Sequence, residues 1–228
     1  MSAPTVAIIG VGPGNGMAFA HRFAREGHPV ALLSRNTARL DAWAAELPQA
    51  AAFACDASDP ASINAALAAA ADVLGPIGVL IYNAGSGAWG DLDKVDVAGF
   101  ERSWRINTLG LFAAAQAVVP GMRAAGSGVI GITGAGAAWR GRAGTIAFAS
   151  AKAGQRSVGQ SLARQLGPEG IHVFYAVLDG GVDPDRAGEH LETRLSPDAI
   201  ADTYWHLANQ HRSAWAYEID LRPHVESW

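Results

Sequence analysis

Cysteine is almost absent: Cys55 is the only one among 228 residues. An intrachain disulfide is therefore excluded, and so is a metal site built from a cysteine cluster. Charge of one sign is not in excess. The formal net charge is −4, so no basic field marks a nucleic-acid partner. No apolar run is long enough to span a bilayer without a charge or glycine interrupting it, and no membrane partner is expected. No basic and apolar leader stands before the first strand, which the chain enters within a few residues of Met1; a cytoplasmic protein is the expectation. Linkers, internal repeats and low-complexity boundaries are missing too, since Ala65–Ala71 reads as ordinary alanine-rich helix. One domain over residues 1–228 is expected. With half of the chain hydrophobic, it has a sizeable core.

What is present begins with Thr5 to Gly16, TVAIIGVGPGNG. A short apolar, β-branched run is broken by closely spaced glycines, and MAFAHRFAREG follows with helical periodicity. A helix that opens beside a glycine turn aims unpaired N–H groups and the positive end of its dipole at one place, and that place suits a phosphate. Gly10, Gly14 and Gly16, with Asn15 between the last two, are the candidate residues for binding a dinucleotide.

Elements alternate from there. Strands are expected at Val6–Gly10, Val30–Ser34, Ala51–Cys55, Val79–Tyr82, Val129–Thr133, His172–Leu178 and Trp215–Leu221. Asp59-Pro60 and Ser196-Pro197 read as an N-cap followed by proline in the first helical turn. Asp96 opens a long helix towards Ala125, with Pro120 as a kink or late break. A second long helix lies within Gly144 to Leu166, before Gly167-Pro168. Continuous apolar strands suit a parallel sheet covered on both faces. The fold class expected is α/β: a Rossmann-type doubly wound sheet of about seven mainly parallel strands with helices on both faces.

Ligands of such sheets bind outside the carboxyl ends of the strands, so the residues just past each strand are the candidates. After the second come Ser34, Arg35 and Asn36. An acid at this place would meet a free ribose hydroxyl. Here an arginine stands instead, which suits the extra 2′-phosphate, and NADP(H) is expected over NAD(H). After the third strand Asp56 is placed to accept from an adenine amino group, or to act as a turn residue. After the fourth, Asn83, Ala84 and Gly85 form a small-residue turn that lets backbone lie close to a flat ligand.

Taken together these residues resemble the short-chain dehydrogenase/reductase family, and the likeness runs through nearly the whole chain. Gly10, Gly14 and Gly16 match its glycine loop, with Ile9 where a threonine is usual. Asp56 matches its adenine-contacting acid, and Tyr82-Asn83-Ala84-Gly85 its N-A-G turn. Asn107 in RINTLG matches the asparagine that organises a proton-relay water, and Lys152 in FASAK the lysine that holds the nicotinamide ribose. The resemblance implies a homodimer or homotetramer packed through the helices near Val97–Ala125 and Gly144–Leu166.

The likeness breaks at the chemistry. The family motif is Tyr-x-x-x-Lys, with tyrosine as general acid/base, and here Phe148 stands four residues before Lys152. The family's serine is replaced by Ala135, or by Gly134 in a shifted register. The turn after the sixth strand reads Leu178-Asp179-Gly180-Gly181 in place of a Pro-Gly turn. Phenylalanine cannot donate a proton, so ketone reduction through that tyrosine is excluded. Three readings follow, and Asn107, Lys152, Arg35 and the glycine loop argue against the third, in which the fold is reused with neither cofactor nor chemistry. In the first, the chain is an NADP(H)-dependent oxidoreductase acting on a small organic substrate. Its proton then comes from Thr133, Thr145, Lys152 through water, or the Asp183–His190 segment. In the second, it is a catalytically silent dinucleotide-binding protein, such as a redox sensor, regulatory subunit or scaffold. Asn107, Lys152 and Thr133 are the catalytic candidates, and Ala135, Phe148 and Asp179 line the expected substrate pocket. Trp89, Trp139, Tyr204 and Trp205 are candidates for an apolar cleft wall. No His pair at ligand spacing accompanies Asp179 and Asp183, so no metal is expected.

Overall fold

Local chemistry sets the helix starts. Asp59, Asp96 and Ser196 each accept a hydrogen bond from a main-chain N–H in the first turn of the following helix, and Pro60 and Pro197 occupy that turn. The computed structural model describes residues 3–184 and 192–226. Along it run β1 (Thr5–Ile9), α1 (Asn15–Arg25), β2 (Val30–Ser34), α2 (Thr37–Ala44), β3 (Ala50–Ala54), α3 (Pro60–Leu74) and β4 (Ile77–Tyr82). Then follow α4 (Val97–Trp104), a π-helical turn (Arg105–Leu109), α5 (Gly110–Ala125), β5 (Gly128–Ala135), α6 (Ile146–Leu166), β6 (Ile171–Leu178), α7 (Pro197–Ala208) and β7 (Glu218–Leu221).

The seven strands form one parallel sheet in the order β3-β2-β1-β4-β5-β6-β7. Alternate residues of each strand face opposite layers. Ala7 and Ile9 pack with Ala66, Leu111 and Leu166 from α3, α5 and α6. Val6 and Ile8 pack with Phe19, Phe23 and Tyr204 from α1 and α7. This is the doubly wound α/β fold that the alternation implies. The strand order reverses between β1 and β4, and such a reversal opens a crevice at the carboxyl edge. Among the described residues no helix is long and apolar enough to cross a membrane.

Strands β1 to β6 keep their expected places with ends shifted by at most two residues, and two other elements differ more. The helix opened by Asp96 is interrupted by the π-turn and continues to Ala125 with Pro120 inside it. The last strand begins at Glu218 and not at Trp215. The indole of Trp215 stacks flat on the His172 imidazole, at 4.7 Å and 2°, and the Tyr217 carbonyl accepts from the Tyr175 N–H at 2.7 Å just ahead of the strand.

Candidate functional site

Gly10 leaves β1 with φ +93°, and a Cβ there would lie 2.5 Å from the Ala84 nitrogen. Only glycine lets the ends of β1 and β4 approach this closely. The Asn83 amide ties the two ends together by donating to the Gly10 carbonyl at 2.8 Å. The result is a cleft of about 810 Å³ at the carboxyl ends of β1 to β4. Gly10, Ser34, Arg35, Asn36, Asp56, Asn83, Ala84 and Gly85 all line it. Arg35 is exposed at its rim. Asp56 accepts from the Ser58 N–H at 2.9 Å and the Ser58 hydroxyl at 2.7 Å. Those bonds, with a smaller contribution from the Arg35 charge, hold its carboxyl below the usual carboxylate range. The Asn36 side chain caps α2 by accepting from the Arg39 N–H at 3.3 Å.

Three of the expected phosphate-loop residues do not line this cleft. Gly16 packs helix against turn, since a Cβ there would stand 2.6 Å from Val11 Cα. Gly14 faces the main-chain carbonyls of Asp183 and Pro184, 3.2 and 3.3 Å from where its Cβ would be. Asn15 opens α1, and its buried Oδ1 has no hydrogen-bond partner among the described residues.

The second group of residues gathers around α6. Lys152 is 4% exposed. Its Nζ donates to the Thr133 carbonyl at 2.8 Å and to Gln155 Oε1 at 3.0 Å. The i,i+4 spacing does put Phe148 beside it, with Nζ 5.8 Å from the ring centroid. Asn107 is fully buried in the π-turn, and its amide donates to the carbonyls of Ser86 at 2.7 Å and Ser103 at 2.8 Å. Asn107 Oδ1 is buried and unpartnered among the described residues. Gly85 touches both groups: a Cβ on it would lie 3.5 Å from Lys152 Nζ and 3.5 Å from Asn107 Oδ1. The amine is thus separated from the cleft by a residue without a side chain.

Beyond Phe148 lies a smaller cavity of about 300 Å³, lined by Trp89, Phe148, Arg140, Arg142, Thr145 and Asp179 among others. Trp89 lies against Phe148 with ring centroids 4.8 Å apart. Asp179 is gripped by Arg140 Nη2 at 2.6 and 2.7 Å, and by Arg222 Nη2 at 3.1 Å. Gly136 and Ala137 line the cavity where Ala135 was expected.

Several expectations are corrected here. Thr133 does not offer its hydroxyl to either cavity. Its Oγ1 pairs with the Tyr204 hydroxyl at 2.9 Å in the core, and only its carbonyl reaches Lys152. Tyr204 is therefore no cleft wall: it is fully buried between Phe19 and Phe174. Trp205 meets Phe23 and His28 and lies under Arg22, on the layer opposite α6. His190 lies outside the described residues. Gln155 and Arg140 were not singled out from sequence. The i,i+3 spacing from Lys152 was the available signal for Gln155, whereas nothing local links Arg140 to Asp179.

Burial alone pushes Lys152 down from its ordinary value near 10.5 to about 7. In that window the unfolded chain holds a proton that the folded chain has released. Stability contributed by this site therefore rises with pH from about 7 to about 10.5. At roughly 1.4 kcal/mol per pH unit, two units correspond to about 2–3 kcal/mol. Lys152→Met removes the titration. Urea unfolding is expected to show the native protein gaining about 2–3 kcal/mol on this variant between pH 7.5 and 9.5. Parallel pH profiles would show that the amine is not depressed.

Residues 4–195 match the short chain dehydrogenase family. The chain is 35% identical over 195 residues to a sorbitol dehydrogenase of Cereibacter sphaeroides, covering 84% of this chain and 74% of that one. It is 33% identical over 173 residues to the inactive 2-(S)-hydroxypropyl-CoM dehydrogenase 2 of Xanthobacter autotrophicus, covering 75% of each. A short-chain dehydrogenase from Rhodopseudomonas palustris is similar in structure, with a TM-score of 0.87 and 34% identity over 97% of this chain and 99% of that one. A blue fluorescent protein from a metagenomic library, in complex with NADPH, has a TM-score of 0.88 and 28% identity over 99% of both chains.

Proposed function

Since the chain belongs to the short-chain dehydrogenase family, we propose that it is an oxidoreductase that binds NADP(H) in preference to NAD(H). It transfers hydride to or from a small organic substrate without the family's tyrosine acid. The observation that carries this reading is one continuous arrangement: a cleft rimmed by Arg35 whose far end, at Gly85, meets the buried Lys152 amine. The residues fit a dinucleotide. Gly12 leaves open space on the cleft, the cleft volume is within the usual range of roughly 300–1,000 Å³, and Asn107 Oδ1 is a buried acceptor awaiting a donor. The NADPH complex of a relative 28% identical supports the same choice.

When bound, the cofactor supplies the hydride. Arg35 and Ser34 would hold the 2′-phosphate, Asp56 would accept from the adenine, and Asn83, Ala84 and Gly85 would leave room for a flat group. Lys152 and Asn107 would serve the reacting end. Phe148, with Trp89 packed on it, presents an apolar wall. Proton delivery falls to the Lys152 ammonium, which at pH near 7 has a proton to give. Substrates that need little acid assistance suit this arrangement, such as an activated alkene or an iminium. A homodimer or homotetramer through α4, α5 and α6 is supported by the large apolar side chains exposed there, Phe100, Trp104 and Phe112.

Calorimetric titration with NADPH and, separately, NADH tests the proposal. Micromolar binding with NADPH preferred is the expected result, and absence of binding to either overturns it. The catalytically silent alternative is favoured by one observation, the loss of both hydroxyls at Phe148 and Ala135. Tight NADPH binding with no oxidation against alkene, imine and carbonyl panels would select it.

A further inference from the structure

Gln155 has no exposed surface, yet its Nε2 finds no partner among the described residues. A buried glutamine with a wasted donor costs stability, so its carbonyl is where a role must be sought. That carbonyl accepts from Lys152 Nζ at 3.0 Å, while the Thr133 carbonyl accepts from the same nitrogen at 2.8 Å. A neutral amine carries two N–H groups and one lone pair, and an ammonium carries three N–H groups. Two acceptors therefore leave one position on the nitrogen, which is N–H in the acid form and a lone pair in the basic form. Gly85 borders both the cleft and Nζ, and the Phe148 ring borders it on the helix side.

We propose that Gln155 is a positioning residue. With the Thr133 carbonyl it takes two of the three substituent directions of Lys152 Nζ and directs the third, with its single exchangeable proton, at the cleft beside Gly85. The proposal rests on the reading of Lys152 as the proton donor. In the step, the third N–H bond breaks and its electron pair stays on nitrogen. An activated alkene that has taken up hydride is left as a carbanion or enolate and gains the proton, and the neutral amine is reprotonated from water. No carboxylate contributes to the shift of Lys152. The ionisable groups facing it are few. Tyr175 from β6 donates to the Lys152 carbonyl at 3.4 Å, and Tyr82 from β4 donates to the Ile106 carbonyl in the π-turn; burial raises both phenols. Asp179 beyond Phe148 is held by Arg140 and Arg222.

Lys94 and Lys152 are the only lysines of the chain, and Lys94 is exposed beside Asp91. Lysine labelled with ¹³C at Cε therefore gives two signals in the full-length protein, one of them an internal reference. Lys152 is expected to titrate well below Lys94. Gln155→Glu, which keeps the acceptor and adds a charge, is expected to raise the Lys152 midpoint by about one unit or more. Gln155→Leu removes an acceptor from the charged form and is expected to lower it by about one unit. Thermal melting of each variant separates these shifts from loss of fold, and if the leucine variant does not fold the glutamate variant decides. A Lys152 midpoint unmoved in folded variants overturns the role of Gln155 while leaving the amine's role intact. Co-titration of Lys152 with Lys94 in the native protein overturns both. Because the titration uses no cofactor, its outcome is independent of NADPH binding.

Discussion

Phe148→Tyr combined with Ala135→Ser is expected to raise NADPH-dependent reduction of carbonyl substrates by about 10²–10⁴-fold, the range a positioned general acid contributes. The scaffold for the gain is already built. Phe148 and Lys152 lie on one face of α6, with Nζ 5.8 Å from the ring centroid. In its protonated form the amine at that distance favours the phenolate and makes the phenol a better acid. The ring itself is held in place, because Trp89 packs on one side and a Cβ on Gly87 would come within 2.9 Å of the Phe148 Cβ. Oxidation of NADPH, followed by absorbance across ketones and aldehydes, measures the gain. A folded, NADPH-binding double variant with no activity on any of them would refute the reading that Phe148 and Asp179 line the substrate pocket.

Arg35→Asp is expected to weaken NADPH binding by about 10- to 100-fold or more while leaving NADH binding nearly unchanged or tighter. Hydrogen bonds to charged groups contribute about 1.5–3 kcal/mol, and each 1.4 kcal/mol is tenfold in affinity. The aspartate adds repulsion against a 2′-phosphate and offers an acceptor to a free ribose hydroxyl. Arg35 is exposed on the cleft rim, so the change does not disturb the core. Side-by-side calorimetry with the two cofactors measures the effect. Equal losses for both would show that Arg35 does not read the phosphate.

Features set by short-range chemistry were legible in the chain. Asp59, Asp96 and Ser196 cap helices where their sequence places them, because an N-cap bond closes within two or three residues. The alternation of apolar runs and helical segments carries the parallel order of the sheet, since a parallel pair requires a crossover. The Phe148–Lys152 pairing follows from helical spacing alone. The π-turn around Asn107 was not legible, because no residue in RINTL distinguishes it from ordinary helix.

Partners that meet across the sheet were decided only by the tertiary structure. The Thr133 hydroxyl turns into the core towards Tyr204, because strand alternation sends its side chain to the α1 and α7 layer while its carbonyl faces Lys152. Trp205 joins Phe23 and His28 for the same reason. Arg140 and Asp179 are far apart in sequence, yet adjacent β5 and β6 end side by side and bring them to 2.6 Å. Sequence by itself determined the doubly wound sheet, the glycine turn, Arg35 at the second strand end and Phe148 one helical turn before Lys152, all consequences of residue type and local spacing. The burial of Lys152 between Thr133 and Gln155, and with it the low pKa of its amine, depended on which elements became neighbours. Desolvation is a property of everything packed around a group, and that shell is assembled from distant parts of the chain.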